Sequence, residues 1–136
     1  MIADIIAIFL FTVSFAILFS VPKEEWLFCG ITGMLGWIFY SLLTDAIIAV
    51  FVAAAVVTAT SRFLASKRKM PLTLFLISGI IPLVPGAGVY ATMFNVIQGA
   101  PVAAAFSGIS TFRDAGVIGL GIMLVLSLPG KWFIIH

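Results

Sequence analysis

Charge is scarce in this sequence. Only 9% of the residues are Asp, Glu, Lys or Arg, while 63% are hydrophobic. A soluble domain is about half apolar and about a quarter charged, so these residues cannot clothe a soluble surface. Cysteine and histidine are scarcer still: Cys29 and His136 are the single examples of each. One thiol makes no internal disulfide, and no metal-ligand spacing can be written. With the lone histidine at the last position, no nucleophile–base pair is available, which argues against an enzyme. No cofactor is expected. A basic tract with interleaved aromatics is missing as well, so nucleic acid is not an expected partner.

What the sequence does contain is apolar run after apolar run, with no polar half that could fold separately. The composition therefore predicts one all-α domain over residues 1–136, a polytopic bundle in a lipid bilayer. A spanning helix needs about 20 mostly apolar residues. Five candidate spans follow: 5–21, 26–43, 46–65, 71–97 and 102–128. The fourth is interrupted at 82–88. In the fifth, Arg113-Asp114 divide the run. A single helix is favoured there over an interfacial segment, because the run 101–112 carries no basic face. The first run has Asp4 and no base before its apolar core, unlike a signal peptide, and is read as a retained span.

Orientation follows from the basic residues of the short loops. With five spans, Lys23, Arg62, Lys67, Arg68, Lys69 and Lys131 share one side, and at most Arg113 lies on the other. The N-terminus is then outside and the C-terminus cytoplasmic. Small residues mark where helices approach closely, since lipid gives no hydrophobic drive for association. Such stripes are Cys29, Gly33, Gly36 and Tyr40 on the second span, Ala54, Thr58, Ser61 and Ala65 on the third, and Gly116 and Gly119 on the fifth. Asp4 and Asp45 read as interfacial helix ends, and Glu24 and Glu25 as solvated loop residues.

The stretch richest in chemistry runs from Ser78 to Gly88. Proline lacks an N–H and its ring clashes with the carbonyl four residues back. Pro82 thus frees the carbonyl of Ser78, and Pro85 that of Ile81. Gly86 and Gly88 give access to backbone conformations closed to other residues. The helix is predicted to stop near Ile81 and restart near Gly88, with the break in the bundle or against a cavity. A restarting half-helix presents free N–H groups, from Gly86, Ala87 and Gly88, to an anion such as a carboxylate. Beyond the break, Gly88, Thr92 and Asn95 fall on one stripe, with Tyr90 on an adjacent face, and Tyr90, Thr92 or Asn95 are expected to supply side-chain contacts to the substrate. A kinked packing helix is the other reading of the same residues. Arg113 and Asp114 are neighbours that project to different faces, which argues against a direct pair. They read as solvated helix-end positions or as a substrate or coupling charge.

The motif Pro82-x-x-Pro85-Gly86, followed by Tyr90 and Met93, resembles the hallmark of the threonine/serine exporter family. The likeness extends to Ser20-Val21-Pro22 closing the first span, to the Gly-rich segment 29–36, and to Ser127-Leu128-Pro129-Gly130. In order and length the chain is similar to the small subunit of the split, two-chain form. At Arg113-Asp114 it departs from the apolar or small polar residues of the family. The resemblance implies export of threonine and serine, or of a small dicarboxylate such as succinate, from a bacterial inner membrane. It also implies a larger five-span partner with a hydrophilic N-terminal region. No nucleotide-binding loop is present, so coupling to an ion gradient is expected. The other reading is a membrane subunit that stabilises another complex and holds no substrate. It uses the same small-residue stripes but has no need of a double-proline break.

Overall fold

The computed structural model describes residues 2–83 and 86–128, and every regular element among them is helical. In chain order these are α1 (Ile2–Leu18), α2 (Trp26–Leu42), α3 (Ala46–Arg68), α4 (Leu72–Ile80), α5 (Gly86–Ile97) and α6 (Pro101–Leu126). Short 3-10 turns cover Lys23–Glu25 and Ile81–Leu83.

Each helix ends for a local reason. Ser20 closes α1 in the left-handed conformation, at φ 61°. There the Val21 N–H bonds Ala16 O at 3.0 Å and the Ser20 N–H bonds Ile17 O at 3.1 Å, so the last carbonyls are satisfied before Pro22. Gly99, at φ 73°, closes α5 the same way, and Pro101 opens α6 at its first turn. Asp45 caps α3: its carboxylate accepts from the N–H groups of Ile47 and Ile48 at 3.0 and 3.2 Å. At the other end α3 runs through Ser66 and Lys67 to Arg68 before Lys69 turns left-handed at φ 55°.

The bundle is built around α3, which packs against α2, α4 and α6. Its inward face is small: Ala53, Ala54, Val57, Thr58 and Ser61 are buried. The neighbours are small where they meet it. Gly36 lies on Val57, Gly79 sits between Val57 and Thr32, and Gly121 faces the Phe51 carbonyl and Ala54. Larger side chains there would force the backbones apart, and in lipid close packing is the main source of association. The buried hydroxyls of Thr12, Thr32, Thr58 and Ser61 are no burden, because each donates to the carbonyl one turn back, at 2.7–2.9 Å. Cys29 is fully buried between the helices, a packing residue.

The stripe on the fifth run does not behave as expected. A methyl group added at Gly116 or Gly119 would meet no atom within 4 Å, and the close approach on α6 falls at Gly121 instead. The reason is register: the face of α6 that meets α3 carries Ile118, Gly121 and Val125, which are buried.

The outside of the bundle is apolar. Phe112, Ile97 and Ile2 are 82, 78 and 76% exposed, a surface suited to lipid or to another apolar chain. By length and composition α3 (from Ile47) and α6 are each sufficient to cross a membrane. The pair Leu72–Leu83 and Gly86–Ile97 makes a third crossing if it counts as one span, bent by 49°. α1 and α2 are shorter, at 17 residues each.

Candidate functional site

The interruption between α4 and α5 follows from Pro82. The Ile81 N–H still reaches Ile77 O, but Pro82 has none to offer Ser78. The chain tightens into the 3-10 turn Ile81–Leu83. Helical structure resumes at Gly86, two residues before the expected restart. Pro85 lies outside the described residues. The amides of Gly86, Ala87 and Gly88 form the first turn of α5, where no carbonyl of the same helix can accept from them. Neither glycine uses its freedom to take positive φ, since among the described glycines only Gly99 does.

The break lines a cleft of about 520 Å³. One wall is Ala7, Ile8, Phe11 and Phe15 of α1, and the other is Ile81, Pro82, Gly86 and Ala87. On its far side Ala87 also borders a second cleft, of about 460 Å³, between α5 and α6. That cleft is lined by Ala87, Gly88 and Ala91 from α5 and by Phe106, Ser107, Ser110, Thr111 and Asp114 from α6.

The stripe Gly88, Thr92, Asn95 turns toward α6. Gly88 lies so close to Thr111 that a methyl group there would collide with its hydroxyl. Thr92 Oγ1 donates to Gly88 O at 2.8 Å, and Asn95 Nδ2 donates to Ser107 Oγ at 3.2 Å. The Asn95 bond joins α5 to α6, while the Thr92 bond stays within α5 and its methyl group faces Gly108. Tyr90 is not brought to them: it points away, 71% exposed, with its ring stacked on Phe94 at 6.1 Å. α5 has no buried residue and packs chiefly on α6.

Arg113 and Asp114 stand midway along α6, not at a helix end. Contrary to the expectation from their faces, they pair: Arg113 Nη2 lies 3.4 Å from Asp114 Oδ1. The arginine side chain is long enough to swing back across the angle between neighbouring positions. Asp114 enters the wall of the second cleft, and Arg113 does not. Sequence reading passed over the companions of Asp114 on that wall. Ser107, Ser110, Thr111 and Asp114 recur at i, i+3, i+4 and i+7, the spacing of a single polar helix face. That signal was present in the sequence.

At the opposite end of the bundle the charges are structural. Glu25, expected in solvent, is 4% exposed and ion-paired with Arg68 at 2.9 Å. Arg62 Nη1 donates to the carbonyls of Val125 and Leu128, at 2.6 and 3.1 Å, and so caps α6 with a cation.

A bundle of apolar helices, two of them long and apolar enough to cross a membrane and a third crossing possible as the bent α4–α5 pair, defines a helical membrane protein. Residues 4–128 match the family described as Threonine/Serine exporter, ThrE. The chain belongs to the threonine/serine exporter family. It is similar to an uncharacterized protein of Haemophilus influenzae (strain ATCC 51907 / DSM 11121 / KW20 / Rd), with 30% identity over 129 residues. That match takes in 89% of this chain but 43% of the relative, so the chain spans less than half the length of the curated protein it matches. No solved structure matches.

Proposed function

We propose that this chain is a membrane subunit of a secondary exporter for small amino acids, threonine and serine, or for a small carboxylate such as succinate. It acts with a larger five-span partner that has a hydrophilic N-terminal region. The chain crosses a bacterial inner membrane five times, with α4 and α5 as one broken span, the N-terminus outside and the C-terminus in the cytoplasm. In this reading α1 and α2 work at the lower limit of about 17–25 residues for a spanning helix.

The observation that carries the reading is the interrupted α4–α5 element. Its restart leaves the amides of Gly86, Ala87 and Gly88 unpaired within the helix, and Gly86 and Ala87 wall a cleft. Discontinuous helices in transporters use such ends to hold the charged groups of a substrate near the bilayer midplane. Pro82 and Pro85 keep the helix open, the amides take the substrate carboxylate, and Thr92 and Asn95 hold α5 in place on α6. Tyr90, on the outer face, meets lipid or the partner.

The test is the double substitution Pro82→Ala/Pro85→Ala, with export of threonine and serine measured per folded complex. A continuous helix would withdraw the free amides. One charge-assisted hydrogen bond is worth about 1.5–3 kcal/mol, so the normalised rate falls about tenfold or more. An unchanged normalised rate would leave the break as architecture alone. One observation favours the second reading, a subunit that only stabilises a partner: Gly116 and Gly119 open onto no neighbour among the described residues. In that case deleting the chain lowers the partner's abundance while export per partner molecule persists.

A further inference from the structure

We infer that the cleft between the end of α1 and the start of α4 holds an anionic phospholipid, with its phosphate at the mouth beside Lys23 and Lys69 and an acyl chain against Leu74 and Ile77. Such a site needs only that the bundle sits in a bilayer, and it does not rest on the exporter reading. The cleft has a volume of about 260 Å³. Ser20 and Val21, just beyond α1, form one wall, and Pro71, Thr73, Leu74 and Ile77 form the other. Its two ends differ in chemistry. At the connection end the hydroxyls of Ser20 and Thr73 make no hydrogen bond among the described residues, so both are free to donate. From Thr73 to Ile77 the wall climbs about 6 Å along α4. There Leu74 and Ile77 are apolar, and the Ser78 hydroxyl is already satisfied, donating to Leu74 O at 3.1 Å. A phospholipid has the same order, a head that accepts hydrogen bonds and then an apolar chain.

Charge round the mouth decides which lipid. The ion pair of Glu25 with Arg68 draws the α1–α2 connection against the end of α3, which puts Lys23 and Lys69 at the same end of the bundle. Lys23 stands two residues after Val21, and Lys69 two residues before Pro71. Two residues span at most about 7 Å of chain, a gap that a lysine stem can cross along an apolar wall while its ammonium group stays at the interface. Both lysines are exposed, and neither makes an ion pair among the described residues. Of the acids here, Glu25 is committed to Arg68, which leaves Glu24 against Lys23, Lys67 and Lys69. The surplus is positive, and it attracts an anionic headgroup. A zwitterionic headgroup would bring a cation of its own against the same lysines and gain less.

The test is lipid binding by the full chain purified in detergent with the subunits it assembles with, read by native mass spectrometry. The probes are phosphatidylglycerol and phosphatidylcholine with the same acyl chains. Each lysine beside an anionic headgroup raises affinity about fivefold, so the unaltered protein retains phosphatidylglycerol about 25-fold more tightly than phosphatidylcholine. Lys23→Gln/Lys69→Gln, at two exposed positions, removes most of that difference. Ile77→Trp fills the cleft and leaves the charges in place. Displacing about two methylenes of the chain, it weakens both lipids about tenfold. Glycerol phosphate, the head without its chains, does not displace phosphatidylglycerol. Equal retention of the two lipids by the unaltered protein would overturn the inference, and that comparison needs no variant to fold. So would a preference that survives loss of both lysines. Phosphatidylglycerol binding untouched by Ile77→Trp would reduce the lysines to a diffuse surface attraction and empty the cleft of its role. Displacement by glycerol phosphate at the lipid's own concentration would mark a site for free phosphate instead, and also overturns it.

Discussion

Arg68 grips Glu25 with two nitrogens: Nη2 lies 2.9 Å from one carboxylate oxygen and Nε 3.0 Å from the other. The guanidinium also lies 4.5 Å from the centre of the Phe28 ring. The contact joins the end of α3 to the α1–α2 connection and buries the Glu25 carboxylate almost completely. Breaking it from the glutamate side leaves a cation that is a third exposed and can find water. Breaking it from the arginine side leaves a buried anion, which is the costlier loss. Arg68→Ala is expected to lower stability more than Glu25→Gln. Arg68→Lys should recover only part, because an ammonium group cannot make the two-pronged contact. Thermal unfolding of the purified protein in detergent checks the order; equal losses would show that the buried anion is not the dominant cost.

Topology can be read chemically. Cys29 is buried, so a Cys29→Ala background supplies a clean start for single-cysteine labelling. Thr44→Cys and Gln98→Cys, exposed in the α2–α3 and α5–α6 connections, should react with a membrane-impermeant maleimide from outside. Lys67→Cys should react only after the membrane is opened. The reverse pattern would invert the proposed orientation, and labelling of Thr44→Cys and Gln98→Cys from opposite sides would break the five-span scheme.

Arg62 ties α3 to the last turn of α6 through the carbonyls of Val125 and Leu128. The Val125 carbonyl also accepts from the Leu128 N–H at 3.2 Å, so the guanidinium adds a charged donor to a helix end that the backbone closes with a weaker turn. Arg62→Met keeps much of the apolar stem and removes the donors. It should lower stability by about 1.5–3 kcal/mol and make the end of α6 more accessible to protease. Unchanged protection there would mean that water serves the carbonyls equally well.

The helical class, the end of α4 at Pro82 and the continuity of α6 were legible because each has a cause within a few residues. Pro82 removes a donor from its own turn, Asp45 caps the helix that follows it, and the run from Pro101 has no breaker before Leu126. What was not legible depends on distance in the chain or on side-chain reach. Glu25 and Arg68 are 43 positions apart, and only the fold brings them together. Arg113 reaches Asp114 through its length, which helix-face geometry ignores. Gly116 and Gly119 looked equivalent to Gly121, and the rotation of α6 against α3 decided among them. The polar face Ser107, Ser110, Thr111, Asp114 had the right spacing, but nothing local said that α5 would fold back to make it one wall of a cleft.

The two glycines of the break separate backbone chemistry from packing. At Gly86 a methyl group would meet nothing within 4 Å, and the residue is helical, so alanine fits without strain. Gly86→Ala keeps the N–H and removes some freedom of the unfolded chain, which should stabilise by about 0.4–1 kcal/mol, with transport per folded complex unchanged. At Gly88 the same methyl would run into the Thr111 hydroxyl across the α5–α6 seam. Gly88→Ala must push the two helices apart, so folded yield and transport should fall together. Thr111→Ala removes the colliding hydroxyl and leaves the nearest remaining atom, Cβ, 3.2 Å from the new methyl, a shift of a few tenths of an ångström from comfortable contact. The double variant Gly88→Ala/Thr111→Ala should therefore regain most of the folded yield. If yield returns and transport per folded complex returns with it, Gly88 serves packing and its amide remains available to a ligand. If yield returns while transport does not, the backbone at Gly88 must come closer to the substrate than a methyl group allows. A failure to regain yield would show that the α5–α6 approach is set by contacts other than Gly88 against Thr111.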